Sequence, residues 1–199
     1  MQVYTEGISN ISAIDIQFAE QIGYKIKLLA IGKNHGDHIE VRVHPTMIPG
    51  TYQLAEVNGV FNAVRLNGDF VGPTLLYGSG ANMDATASAV MGDVMSISRD
   101  QIKSLPIKAM SEIVSHYYLR FTTIDQPGVL ATIAGCLGRY DISIQSMFQP
   151  EGHEGGSVSI VLMTHAAKEE NISNALKEIG RLDFISQPTC LIRVEHDLD

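Results

Sequence analysis

Four residues in the second half of the chain have the types needed to hold a small charged molecule. They are Asp125, Gln126, Pro127 and Gly128, placed between an alternating segment and a helical pattern. Asp125 offers a capping side chain, Pro127 has its φ preset for a first helical turn, and Gly128 leaves the backbone uncovered. The free N–H groups at a helix start can bind a carboxylate. On these residues alone, a well-capped turn without a ligand is an equally good interpretation.

A second place where the backbone could approach a ligand is Gly78-Ser79-Gly80, which precedes another helical pattern. Met83 stands where the third glycine of a dinucleotide fingerprint would be, and no βαβ unit accompanies it. The absence of a Walker lysine or serine excludes a nucleotide hydrolase. Taken alone, these residues favour a tight strand-to-helix turn.

The remaining reactive side chains form no catalytic pattern. Lys25 and Lys27 share one face of a predicted strand and indicate a solvated or interface edge, while His44 borders a strand and is typical of a structural histidine. Cys136 and Cys190 lack metal-ligand spacing and are predicted to be buried thiols. No GxSxG or HExxH motif is present, so these residues alone support no enzyme.

The first hundred residues predict a helix and two hairpins. Residues 12–23 carry an apolar stripe at helical spacing, with Asp15 and Glu20 expected on the exposed face. Residues 24–31 and 39–44 alternate on either side of a turn sequence and predict an antiparallel hairpin.

The second hairpin has arms 57–66 and 69–77, with Asn67-Gly68 as its predicted turn. Pro73 cannot donate to a ladder, so we expect this arm at an edge or with a bulge. A helix rich in small residues is predicted from about residue 85 to 98.

Two segments are predicted to be irregular. A loop containing Pro45, Pro49 and Gly50 joins the two hairpins, and residues 99–115 are polar, contain Pro106 and show no sustained strand pattern. We predict that the second segment is a linker between two domains.

The last part of the chain predicts a second domain that begins near His116. A strand, a helix, two strands, a helix and a strand follow one another, which is the βαββαβ order of a ferredoxin-like domain. The fold class is therefore α+β, with an antiparallel hairpin sheet and helices followed by a ferredoxin-like domain.

Composition excludes several function classes. The chain has 199 residues, a net charge of -8, 45% hydrophobic residues and no apolar run long enough to span a bilayer. Without a basic run, nucleic acid and anionic membranes are poor partners. The first ten residues lack the pattern of a signal peptide, so a cytoplasmic location is expected.

Residues 125–134, DQPGVLATIA, resemble the signature of the ACT domain, a regulatory module that binds small molecules. The resemblance implies an amino acid bound at the turn, often across a dimer. The ammonium is expected at Asp125 and Gln126, and the carboxylate at the backbone N–H groups of Gly128 and Val129. Ile142, Ser143 and Ile144 are expected to line the neighbouring subunit's side, although Ser143 equally fits a solvent-facing strand.

The sequence before the ACT signature resembles the back half of homoserine dehydrogenase. The motifs are EGISNISAIDIQFAEQIGYKIKLLAIG, VRVHPTMIP and VNGVFNAVRLNGDFVGPTLLYGSGANMDATASAVMGDV, in the family's order. The resemblance implies that residues 1–99 are part of a substrate-binding and dimerisation domain, 100–115 a linker, and 116–199 the ACT domain. The loop that borders NAD(P) in the family matches Gly78, Gly80 and Ala81, while Asn82 departs from its common glycine.

Two functions are compatible with these resemblances. In the first, the chain is a piece of a homoserine dehydrogenase whose ACT domain senses an amino acid, with threonine as the expected ligand. The family's Rossmann domain and catalytic lysine have no match here, so the piece alone is expected to bind no NAD(P) and to be inactive. In the second, the chain is a stand-alone amino-acid-binding regulatory protein. Both predict a homo-oligomer, at least a dimer, because the hairpin sheet leaves apolar surface uncovered.

Overall fold

The N-terminal residues form a helix and a long hairpin, as their patterns predict. The computed structural model describes residues 3–80, 83–97, 105–149 and 157–196. The first elements are strand β1 (Tyr4–Thr5), helix α1 (Ala13–Gln21), and strands β2 (Tyr24–Asn34) and β3 (Ile39–Pro49). Strands β2 and β3 are antiparallel and pair along their whole length. A short 3₁₀ helix, Gln53–Glu56, follows.

Strand β3 is longer than predicted, because Pro45 and Pro49 lie within it and not in a loop. The carbonyls of Val43 and Met47 accept hydrogen bonds from Glu6 and Glu195, and therefore point away from β2. Pro45 is two residues from each of them, and a strand repeats every two residues. The position of its missing N–H is therefore on the same edge of β3, away from β2. The ladder with β2 is not interrupted.

The second hairpin consists of β4 (Phe61–Gly68) and β5 (Gly72–Ser79), and its predicted turn is wrong. Asn67 pairs with Pro73 and Gly68 with Gly72, which places the reversal at residues 69–71. Gly72, directly after the reversal, has φ +70, a left-handed conformation that favours glycine. These strands form a separate two-stranded sheet, so Pro73 is on an edge strand, as predicted. Helix α2 (Met83–Ile97) follows.

The C-terminal half has the ferredoxin-like order that the pattern predicts. Its elements are β6 (Val114–Ile124), α3 (Val129–Arg139), β7 (Ile144–Phe148), β8 (Ser157–Thr164), β9 (Ala167–Lys168), α4 (Glu169–Ile179) and β10 (Ile185–Val194). The spatial order is β10-β6-β8-β7, and each neighbouring pair is antiparallel. Helices α3 and α4 cover one face of this sheet and bury Tyr117, Leu119 and Phe121.

The predicted linker carries more structure than its sequence indicates. Ile107 bridges Ile39, a 3₁₀ helix spans Met110–Glu112, and β6 begins at Val114. Residues 98–104 lie outside the described residues.

One sheet crosses the boundary between the two predicted domains. Strand β10 runs parallel to β3, with Arg193 opposite Thr46 and Val194 opposite Met47, which gives an eight-stranded sheet. Helix α1 lies on the face opposite α3 and α4, where Ala19 packs in a cluster with Tyr118 and Ile192. The ferredoxin-like sheet therefore has both faces covered within the chain, and its β10 edge is paired.

Candidate functional site

The turn between β6 and α3 brings together Asp125, Gln126, Gly128 and Val129. Helix α3 begins later than predicted, because its N-cap is Gly128 and not Asp125, and no side chain caps it. Gly128 has φ +89, a left-handed conformation that favours glycine. Its carbonyl accepts hydrogen bonds from the backbone N–H and the hydroxyl of Thr132.

The turn presents backbone donors to solvent. Asp125, Gln126 and Gly128 are exposed, while the Val129 side chain is buried beneath them in the core. The Val129 N–H reaches the Gln126 carbonyl only at 3.5 Å, the long limit for a hydrogen bond. The first N–H groups of a helix have no partner within it, and the helix dipole is positive at this end. A carboxylate could bind here.

The other three predicted ligand residues lie at the far end of α3. Ile142 is 3% exposed and packs in the core. Ser143 is exposed, and Ile144 begins β7 half-buried. An α3 of 11 residues is about 16 Å long. Within one chain, the structure does not bring these residues to the turn.

The two glycines of the loop after β5 have different surroundings. A Cβ on Gly80 would lie 1.8 Å from the Asn62 amide nitrogen, so a side chain at this position would require the Asn62 side chain to move. A Cβ on Gly78 would meet nothing within 4 Å, which leaves its backbone open. Ala81 lies outside the described residues. Of the two predicted cofactor residues that the structure describes, Gly78 is the one whose backbone is open.

A buried ion pair joins α1 to β6, and the sequence reasoning missed it. Asp15, expected on an exposed helix face, is 0% exposed. It accepts hydrogen bonds from Arg120 at 2.5 and 2.9 Å, from the Tyr118 hydroxyl at 3.0 Å and from Ser12. Burial favours protonation of Asp15, but the bonds from Arg120 and Ser12 outweigh it and hold the pKa of Asp15 below its ordinary value.

A second buried cluster surrounds Arg193 on the other face of the sheet. Its guanidinium donates to Glu169 at the start of α4, to Glu6 at 2.7 Å and to the Tyr4 hydroxyl at 3.1 Å. The Tyr117 hydroxyl also donates to Glu169. Although burial opposes the charge, the hydrogen bonds with Glu169 and Glu6 raise the pKa of Arg193 above its ordinary value.

A third cluster lies on β3. Arg42 donates to Glu40 at 2.6 Å, to Glu195 at 2.8 Å and to the Nε2 atom of His44 at 3.2 Å. Because Arg42 can only donate, the proton of His44 is on Nδ1, which faces the Pro45 carbonyl at 3.0 Å. Burial lowers the pKa of His44 to about 4, so the ring is neutral near pH 7. His44 is thus a structural residue, as predicted.

The remaining candidate residues are two lysines on β2 and two cysteines. Lys25 pairs with Glu20 at the surface, and Lys27 donates to the Val57 carbonyl. Cys136 and Cys190 are free and buried, as predicted. Within the described ranges, no group of three His, Cys, Asp or Glu residues could hold a metal, and no helix is long and apolar enough to cross a membrane.

Family models match two parts of the chain. Residues 1–95 match homoserine dehydrogenase, and residues 117–184 match the ACT domain. The homoserine dehydrogenase of Neisseria gonorrhoeae is 41% identical over 98% of this chain and 49% of that protein. That of Pseudomonas aeruginosa is 40% identical over 98% of this chain and 49% of that protein. The chain spans about half the length of the curated relatives it matches.

A solved structure has the same fold. The homoserine dehydrogenase from Thiobacillus denitrificans superposes with a TM-score of 0.85 at 40% identity, covering 99% of this chain and 48% of that one. The similarity extends through both matched regions.

Proposed function

This chain has the sequence and fold of the C-terminal part of homoserine dehydrogenase, and on that premise we propose that it serves in the NAD(P)-dependent interconversion of L-aspartate 4-semialdehyde and L-homoserine. That step leads toward threonine and methionine. The similarity over 99% of the chain at a TM-score of 0.85 carries this proposal.

The ACT region is proposed to bind a regulatory amino acid, with threonine as the first candidate. Supporting the proposal, the turn exposes Asp125 and Gln126 as partners for an ammonium, and the start of α3 offers N–H groups of Gly128 and Val129 for a carboxylate. Both charges of an amino acid are complemented within one turn.

The NAD(P) cofactor, when bound, supplies or accepts the hydride. The part of this chain that would border it is the loop of Gly78, Gly80 and Ala81, where the bare backbone of Gly78 permits close approach.

The proposed assembly is a dimer through the β7 edge. Strand β7 is the last in the sheet order, and Met147 and Phe148 on it are 44% and 40% exposed. Its Phe148 end lies toward the turn, since β8 places Val161 opposite Phe148 and Ser157 opposite Ile124. In an antiparallel pair of β7 strands, the partner's β7 start would face this end. Such pairing would bring Ser143 and Ile144 of one subunit near the turn of the other.

A chimera tests the catalytic proposal. The half of the Neisseria gonorrhoeae relative that this chain does not cover is joined ahead of residue 1, and homoserine oxidation is followed with NAD⁺ and NADP⁺. The chimera is expected to turn over homoserine, and the chain alone is not. A folded chimera without turnover would refute the proposed activity.

Calorimetric titration tests the amino-acid site on the chain as it stands. L-threonine is expected to bind the wild type, and Gly128→Asp is expected to abolish binding because its carboxylate would oppose the ligand's carboxylate at the helix start. Gly135→Asp, on the exposed side of α3, is the control and should bind normally. A heat of threonine binding that is unchanged in Gly128→Asp would contradict the proposed site.

A further inference from the structure

The ferredoxin-like sheet holds one segment of the N-terminal half at both ends. We call residues 4–15 the arm. At its start, Arg193 of β10 binds Glu6 at 2.7 Å and the Tyr4 hydroxyl at 3.1 Å, with the guanidinium 5.0 Å from the Tyr4 ring centroid. At its end, Arg120 of β6 binds Asp15 and the Ser12 hydroxyl.

Between these two anchors the arm is open to solvent. Residues 7–10 are exposed, and Ile8 is 60% exposed although it is apolar. The middle of the arm is touched by Cys190, whose Sγ lies 3.7 Å from the Asn10 carbonyl. The arm therefore has fixed ends and an exposed middle.

Both anchors lie on elements connected to the ligand turn. Arg120 is on β6, the strand that runs directly into Asp125. Arg193 is on β10, which pairs with β6 and places Arg193 opposite Tyr117. Arg193 also holds Glu169 at the start of α4, so it joins the arm to a helix of the ferredoxin-like half.

Burial makes these anchors stiff. Arg193 and Asp15 are 4% and 0% exposed, and a shift of either strand that broke the contact would leave an unpaired charge inside the protein. A movement of β6 or β10 is therefore expected to move the ends of the arm with it. Both strands therefore contact the arm through a charged side chain, Arg120 on β6 and Arg193 on β10.

We propose that the arm transmits amino-acid binding from the turn to the N-terminal half, with Arg120 and Arg193 as its positioning residues. This inference rests on the proposed function, because it requires an amino acid at the turn. Ligand binding shifts the arm only if the ligand prefers one position of β6.

Hydrogen exchange on the whole chain, with and without L-threonine, tests the proposal, and calorimetry on the same samples establishes binding. In the wild type, exchange of the amides in residues 7–11 is expected to change by about fivefold on binding, the lower end of typical coupling. Glu6→Gln and Asp15→Asn each weaken one anchor without altering the turn. In both variants threonine should still bind, and the change in the arm should fall to less than about half.

Glu178→Gln is the matched control. Glu178 pairs with Arg139 between α3 and α4, remote from the arm, so the exchange response should be retained. Glu6→Gln guards against misfolding of Asp15→Asn, because the Glu6 side chain is 26% exposed and the change keeps its shape.

The outcomes separate the two proposals. Heat with threonine but no exchange change in the wild-type arm would overturn the transmission and leave the ligand site intact. A response that persists in both anchor variants would also overturn it. Absence of heat in the wild type would defeat amino-acid binding by this chain, and the transmission with it.

Discussion

The ferredoxin-like half and the β4–β5 hairpin with α2 use apolar residues in opposite ways. In the first, Tyr117, Leu119 and Phe121 are 0% exposed. In the second, Val64 and Leu66 are both 54% exposed and Phe70 is fully exposed. The ferredoxin-like half buries its own core, whereas the hairpin with α2 carries apolar surface that the described residues do not cover. A pattern of apolar residues thus indicates an element, but not whether the same chain supplies its cover.

The largest expected difference comes from truncating the same residue type in each region. Phe121→Ala should lower the free energy of unfolding by about 3–5 kcal/mol, because it opens a cavity in a closed core. Phe61→Ala, at a side chain 43% exposed, is the control and should cost less than about 1 kcal/mol. Chemical denaturation followed by circular dichroism measures both. Equal losses of unfolding free energy in the two variants would contradict the difference between the closed core and the hairpin.

Removal of the carboxylate at Asp15 tests whether the closed half includes α1. Asp15→Ala leaves Arg120 without its buried partner and should cost about 3 kcal/mol. Glu20→Ala on the same helix removes only a surface pair with Lys25, and no measurable change is expected. Denaturation midpoints of the two variants are compared. A small effect of Asp15→Ala would show that α1 is not part of the cooperative unit.

Acidification should act through His44 on the strand that joins the halves. Its pKa is about 4 in the folded protein and about 6.5 when unfolded, so the unfolded state binds more protons between these values. Stability should therefore fall from pH 6.5 to 4, by up to about 3 kcal/mol. Replacement by His44→Gln should flatten that slope, as measured by denaturation at each pH. An unchanged slope would exclude His44 as its source.

The smallest expected effects on stability come from replacing two glycines that have positive φ, one in each region. Gly128→Ala, at φ +89 in the closed half, should lower global stability by about 1–2 kcal/mol. Gly72→Ala, at φ +70, is strained to a similar degree but lies in the hairpin. It should leave the main unfolding transition in place and change only exchange in residues 61–79. A global loss from Gly72→Ala would show that the hairpin unfolds with the rest.

Local pattern predicted the elements and the ferredoxin-like order, since the period of apolar residues depends on neighbours in sequence. It failed where distant strands decide. The Asn67-Gly68 turn was overridden by the register that places Gly72 opposite Gly68. Pro45 is tolerated in β3 because its N–H would face the other edge.

The buried arginines were missed for a related reason. Arg120 and Arg193 find their carboxylates on other elements, so no spacing in the sequence reveals the pairs. A charged residue inside an apolar strand was the available signal. In the turn between β6 and α3, the sequence pattern assigned the capping role to Asp125, but the N-cap is Gly128.

The pairing of β10 with β3 has a consequence for synthesis on the ribosome. The edge of β3 at Thr46 and Met47 cannot pair until Arg193 and Val194 have been synthesised, and these residues lie in the last of the described strands. At typical elongation rates of about 5–20 residues per second, that edge stays unpaired for roughly seven to thirty seconds. An open strand edge invites association with other chains. The nascent protein should therefore depend on chaperone binding near β3 until translation of β10 is complete.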